Sequence, residues 1–472
     1  MRILACRPAR FLLSPMDKGP GLLYNEQRRH DEYTFSFPLG GMPAAERNVI
    51  VREPVMKSPC IGRDETGKWV VYLLYAAVFV LPVSALAFDA CLGLTLILAL
   101  WRSWKHKRWE LHAGPFWKPA AGCLVFSFAS VFVSPSIPFS FYNWLLLPCA
   151  YMALYVLIFT YLKTDKDKEN ALYAFLAGAL AVGMYGFWQF LHIEHMAASI
   201  AAMDWVDPER FPLLYRRMYS TLGNPNLLSV YLLMIMALLS AFGFMEKEKR
   251  RKWFFSLCFF FFLLCLILTY SRSAWVSLFF MAAFLSIVYD RRIAWVFVLV
   301  PLVLLVYHGQ VTERFLSLFS GEDTSTSLRF ALWESTEAMI EEHPFLGVGW
   351  GAYYLAYPDY NFFIQDPHVL IYHAHNMYLS VPAEIGLPGA FCFFWLILCH
   401  GYKAWTMYKR GKNSFVRAMG LGTASMLIAV AVSGMGDYAL FSRMVSLCFW
   451  CILAMTASAG KEEVVPKEGE KR

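Results

Sequence analysis

The chain has 472 residues, of which 58% are hydrophobic, 17% aromatic and only 16% charged, and its mean hydropathy is +0.45. Soluble globular chains carry about a quarter of their residues charged, so this composition excludes an ordinary soluble domain and is that of an integral membrane protein with aromatic interfacial belts. The formal net charge of +7 does not point to nucleic acid, because most basic residues sit in short loops between apolar runs, where they set topology.

Residues 1–68 are polar, rich in Pro, Gly and Arg, and lack periodicity. No apolar stretch precedes a cleavage site, so they read as a disordered cytoplasmic leader rather than a signal peptide. A start at Met42 or Met56 serves equally well. From there a spanning helix needs roughly 20 apolar residues. Apolar runs lie near 69–86, 88–102, 117–134, 142–162, 171–191, 226–244, 253–269, 273–289, 293–307, 378–399, 415–433 and 444–459. The fold class is therefore all-α: a polytopic membrane protein of about twelve transmembrane helices, residues 69–460, with a cytoplasmic tail at 461–472. Asp89, at the start of the second run, is expected at a tight hairpin turn between the first two.

Loop charges test the count. With the N-terminus inside, the inner loops carry Arg102, Lys105, Lys107 and Arg108, then Lys163, Lys166 and Lys168, then Lys247, Lys249, Arg250, Arg251 and Lys252, then Arg291 and Arg292, then Lys403, Lys409, Arg410 and Lys412. The opposite loops hold almost no lysine, which satisfies the positive-inside rule at every crossing. Nine of the eleven cysteines lie in apolar runs and none falls in an outer segment, so disulfides are not expected. Cys448-Phe449-Trp450-Cys451 has C-x-x-C spacing inside an apolar helix and reads as small helix residues.

Two outer segments are long, about 192–225 and 308–377. The second is the large extracytoplasmic loop before the tenth span. Within it Ser325-Thr326-Ser327 offers a cap, and Leu328 to Glu342 reads as an amphipathic helix stopped by Pro344. Gly347-Val348-Gly349-Trp350-Gly351 follows no strand, so it reads as a flexible turn rather than a dinucleotide loop. Tyr353, Tyr354, Tyr357, Tyr360, Phe362 and Phe363 follow, as an interfacial belt or as rings for stacking on sugars. Asp165-Lys166-Asp167 is the one D-x-D spacing and reads as a solvated inner loop.

The candidate reactive residues gather on the outer side. Tyr372-His373-Ala374-His375-Asn376 enters the tenth span, and histidine titrates near neutrality, which suits a general base. A metal pair or an idle interfacial histidine are the competing accounts of H-x-H, and with no further ligands placed, no metal and no cofactor are expected. Arg217, Arg272 and Arg329 keep their charge and present a fork that matches phosphate oxygens. Arginine is costly within a membrane, by about 2.5–3.5 kcal/mol on insertion scales; snorkelling to headgroups is the bland alternative. Asn224-Pro225-Asn226 reads as a turn and cap opening the sixth span, and Glu384 as a packing residue, with orientation of His375 as its alternative role.

In order, these pieces are Arg217 through Asn226; Thr269-Tyr270-Ser271-Arg272-Ser273; Arg329 with Trp333 and His343-Pro344-Phe345-Leu346-Gly347-Val348-Gly349; then His375-Asn376 with Tyr378-Leu379, and Glu384, Gly386, Leu387 and Gly389. The ordered set resembles the O-antigen ligase and polymerase superfamily of bacterial envelope proteins, over about 70–459. The resemblance implies transfer of a glycan from undecaprenyl diphosphate at the outer face of the inner membrane. The acceptor would be a lipid A core sugar, a second lipid-linked repeat or a protein hydroxyl. It assigns acceptor activation to His375 and diphosphate binding to Arg217, Arg272 and Arg329; His373, Asn376, Glu384, Asn224 and Asn226 are candidate supporting residues. A transporter for a lipid-linked glycan is the reading from another class, and it calls for ionisable residues near the midplane, where few occur.

Overall fold

The structure, a computed structural model, describes residues 64–192, 217–298, 312, 324–362 and 371–459. The expected leader up to residue 63, the tail at 461–472 and much of both long outer segments lie outside the described residues.

Every regular element among the described residues is helical. In chain order they are α1 (Glu65–Val80), α2 (Ala85–Lys105), α3 (Trp117–Val131), α4 (Ile137–Tyr161), α5 (Asp165–Leu191), α6 (Pro225–Met245), α7 (Lys249–Leu268), α8 (Arg272–Val288), α9 (Thr324–Glu342), α10 (Met377–Arg410), α11 (Ser414–Ser433) and α12 (Arg443–Ser458). Seven of these, α2, α4, α5, α6, α7, α10 and α11, are long and apolar enough to cross a membrane, while α8 and α12 are apolar but shorter. The outward surface is itself apolar: Leu257, Phe260, Ile287 and Leu398 are all exposed. A soluble fold does not tolerate such a surface. The chain is a polytopic helical membrane protein.

Helix α6 is the hub. Its most apolar stretch is 94% buried, so it needs no polar face. It packs on α7, α11 and α12, and α11 in turn packs on α8 and α10. Tyr231 and Leu232 to Leu238 of α6 are wholly buried in that core.

Helices lie on eleven of the twelve apolar runs, with four differences. The first turn falls at residues 81–84, where the Ser84 hydroxyl caps α2; Asp89 lies inside α2, held by Arg443 of α12, so it marks no hairpin. The ninth run, 293–307, begins as a short turn at Arg291–Trp295, and its remainder from 299 lies outside the described residues. Helix α5 starts at Asp165 rather than 171. Thr164 and Asp167 form a reciprocal capping box there, and Asp167 and Lys168 are buried. Asp165-Lys166-Asp167 is thus a helix start and not a solvated loop, because acidic groups suit the exposed N–H groups of a first turn. Helix α9 starts at Thr324, before its expected cap, and ends at Glu342 as the proline demands.

Helix α10 runs on to Arg410 and is broken at Gly386 (φ 70°, ψ 169°). Pro388 has no N–H, so the Glu384 carbonyl four residues back loses its helical donor. Gly349 N–H donates to it instead at 3.2 Å. Leu387 N–H turns to the Pro344 carbonyl (2.7 Å), and the Ala383 carbonyl it leaves accepts from Val348 N–H (2.8 Å). The glycine-rich segment is therefore pinned into the helix break, not flexible: buried backbone groups freed at the kink find their partners in it.

Candidate active site

The loop entering α10 is tied through several of its backbone groups. Ala374 N–H donates to the Ser380 hydroxyl (3.1 Å), and the Ala374 carbonyl accepts from the Trp333 indole of α9 (3.1 Å). Met377 N–H donates to the Gly434 carbonyl at the end of α11 (2.7 Å). The Asn376 side chain accepts from Tyr378 N–H (2.8 Å) and caps α10. Asn376 is thus a capping residue. These ties force His375 into left-handed backbone, φ 49°. Such strain costs about 1–3 kcal/mol and persists where the surroundings over-determine it, often at functional sites.

His375 Nδ1 lies 3.1 Å from Asp437 Oδ1. Asp437 is buried in the turn between α11 and α12, while His375 is partly open. His373 lies beneath: its Nδ1 accepts from His375 N–H (3.0 Å), and its ring lies 4.3 Å from that of Phe441. Burial foremost, with the charges of His375 and Arg329, pulls the His373 pKa down to about 3, so that imidazole is neutral. Burial alone would raise Asp437. The hydrogen bond from His375 and the nearby His375, His373 and Arg329 outweigh it and hold the carboxyl below its ordinary range. An ionised Asp437 accepts Nδ1–H and leaves the lone pair of His375 on Nε2.

The arginines divide. Arg329 of α9 reaches this cluster: its Nη1 and Ser273 of α8 both lie within 4 Å of the space above Gly436, next to Asp437. Arg272 begins α8 beside Ser273. Arg217 donates through Nε to the Thr269 carbonyl (2.7 Å) and through Nη2 to Asn226 Oδ1 (2.8 Å). It joins the segment before α6 to the turn that carries Arg272. Asn224 caps α6, accepting from Asn226 N–H at 2.8 Å. Ser220 and Tyr270, in these same segments, also have positive φ.

Other expected roles change. Glu384 is buried away from His375 and accepts from Gly351 N–H; Asp437, not Glu384, holds His375. Tyr353 and Tyr357 are buried and stack on one another, with the Tyr353 hydroxyl 2.7 Å from that of Thr336. Tyr360 donates to Glu342 (2.7 Å). These rings fasten the loop to α9, leaving Tyr354, which contacts Phe139 and Tyr372, and Phe362, which is exposed. Phe363 lies outside the described residues. Asp437 was missed by the sequence reading; its only signal is a lone acid on the lysine-poor side, after Gly434-Met435-Gly436.

One comparison with known families bears on this geometry. Residues 257–394, which include Arg272, Arg329, His373 and His375, match the family model for O-antigen ligase. That match spans less than a third of the chain. The resemblance read from the motifs holds over that stretch, and it supports a membrane enzyme of the O-antigen ligase or polymerase type. Asp437 and Arg217 fall outside the matched residues; Asp437 is joined to His375 by its hydrogen bond, and Arg217 to the turn before Arg272. No curated protein matches the chain.

Proposed function

We propose that this O-antigen ligase-type protein transfers a glycan from undecaprenyl diphosphate to an acceptor hydroxyl at the outer face of the bacterial inner membrane. The acceptor we favour is a lipid A core sugar. The observation that carries the reading is the His375–Asp437 pair beside Arg329, on a loop locked by backbone hydrogen bonds. His375 Nε2 takes the acceptor proton, the freed oxygen attacks the anomeric carbon, and the bond from that carbon to the diphosphate oxygen breaks. The products are glycosylated acceptor and undecaprenyl diphosphate, with the proton passing from His375 to solvent. Direct displacement inverts the anomeric centre. Arg329, Arg272 and Arg217 stabilise the charge on the leaving diphosphate, a contribution that is often the largest in such reactions. The chemistry calls for no metal. The scaffold is read as about twelve spans with both termini cytoplasmic, on the loop charges.

The test is transfer by purified protein in lipid, with an undecaprenyl diphosphate-linked glycan, EDTA and no nucleotide sugar. Transfer to lipid A core that disappears in His375→Ala is the expected result. Chain growth on the carrier instead would make the protein a polymerase, and a protein acceptor would make it a protein glycan ligase. Transfer undiminished in His375→Ala would remove the base from the mechanism.

A further inference from the structure

The sequence offers His373 and His375 as a pair with no further ligand in view. The structure supplies one. The donor atoms of His373, His375 and Asp437 all lie within 4.8 Å of one another, and among the described residues theirs is the one such group of three. We propose that these three side chains bind a single divalent transition-metal ion of the zinc class, and that the bound ion arrests the transfer reaction. Binding stands on the geometry alone; arrest rests on the proposed function.

Two imidazoles and a carboxylate with a fourth position open is a common three-ligand zinc set. Zn–N and Zn–O bonds of about 2.0–2.2 Å place two ligand atoms of a tetrahedron roughly 3.3–3.5 Å apart. His375 Nδ1 and Asp437 Oδ1 already stand 3.1 Å apart, so that edge needs only a few tenths of an ångström. The other two edges, both to His373, each close by about 1.5 Å at most. Imidazole nitrogen favours zinc, copper or nickel over magnesium and calcium, which take oxygen ligands. Arg329 works against any cation here, since it acts on both His373 and Asp437. A reversible, exchangeable ion is therefore expected, not a structural one.

Arrest follows from the tautomer. In the metal-free site Asp437 accepts Nδ1–H and Nε2 carries the lone pair. A metal ion takes the Nδ1 lone pair and the carboxylate together. The ring proton must then reside on Nε2, where it faces the acceptor, and His375 can no longer take a proton. Nothing is oxidised or reduced; in His375 one proton moves between the two ring nitrogens, and His373 gives up the hydrogen bond that its Nδ1 accepts from His375 N–H in order to offer a lone pair to the metal.

The experiment uses the full chain in lipid, stripped by a chelator, with Zn2+ as the only added ion. Bound zinc is measured by competition with a fluorescent chelator, and Co2+ replaces zinc for a visible spectrum. One zinc per chain is expected, weakened at least tenfold by His373→Asn and by Asp437→Asn, with the intense bands of tetrahedral Co2+ in the wild type. The cobalt spectrum decides the matter even if a variant does not fold. No zinc bound, binding unchanged in both variants, or a weak octahedral cobalt spectrum would each overturn the site. For arrest, the stripped protein should transfer glycan, lose transfer with low-micromolar Zn2+ and regain it with EDTA. Transfer indifferent to bound zinc would overturn the arrest. A stripped protein that binds one zinc at these residues and transfers nothing would support the metal site and count against the transfer reading.

Discussion

At the scale of single residues, the decisive contact joins two positions 62 apart in sequence, His375 and Asp437. Histidine next to asparagine at the mouth of an apolar run was legible, because a titratable ring at a helix start is an uncommon choice. Its partner was not. Asp437 sits in a short turn, and nothing in sequence spacing says that the turn folds over α10. Glu384 was the nearer candidate in sequence, but it is carried into the helix break, where Gly351 N–H satisfies it. Asp437→Asn should separate these roles. An asparagine amide can offer N–H to Nδ1, which places the ring proton on Nε2 and disables the base. The expected loss is about 10²- to 10⁴-fold in kcat, the range for a positioned general base or its orienting acid, with little change in KM for donor or acceptor. Initial rates against each substrate measure both constants. A loss carried by KM would instead make Asp437 a substrate-binding residue.

At the scale of elements, the helices were legible from apolar length and the interruptions were not. The tenth run read as one span, and the glycine-rich segment before it as a free turn. The structure makes them one unit, because Gly386 and Pro388 release carbonyls that only a close-packed backbone can satisfy. Gly386, at φ 70° and ψ 169°, occupies a region open essentially to glycine alone. A Cβ there would stand 2.2 Å from the Phe345 carbonyl oxygen. Gly386→Ala should therefore destabilise by at least the roughly 1–3 kcal/mol of such backbone strain, seen as a lower unfolding temperature in detergent. Transfer should fall with it, since His375 lies in the loop that enters the same α10. Gly401→Ala, fifteen residues along the same helix, is the control. Its Cβ would meet only Leu427, at 3.5 Å, and a helical Gly→Ala change is neutral or stabilising by about 0.5–1 kcal/mol. Equal losses at the two positions would show that the break has no special role.

At the scale of the whole molecule, the candidate site draws on α8, α9, the start of α10 and the turn after α11, and its geometry depends on how α12 is seated. Arg443, which begins α12, grips Asp89 of α2 with both terminal nitrogens (2.8 and 2.5 Å) and donates through Nε to the Leu146 carbonyl of α4 (3.1 Å). This pair links positions 354 apart, and it explains why an acid is tolerated inside an apolar helix. It also shows that an arginine at a helix start is not by itself a phosphate site: Arg443 fits the pattern of Arg272 and is committed to a carboxylate. A two-pronged arginine–carboxylate contact is stronger than a simple ion pair, but both partners are partly open, so about 1 kcal/mol is a fair expectation. Arg443→Ala and Asp89→Ala should each lower the unfolding temperature, and the double substitution should cost less than their sum, because each single change strands the other charge. Exchanging the two, Asp89→Arg with Arg443→Asp, should recover part of the loss. Thermal unfolding of the five proteins in one detergent closes the cycle. Strictly additive losses with no recovery on exchange would mean that α12 is seated by apolar packing alone and that the pair contributes nothing to the turn carrying Asp437.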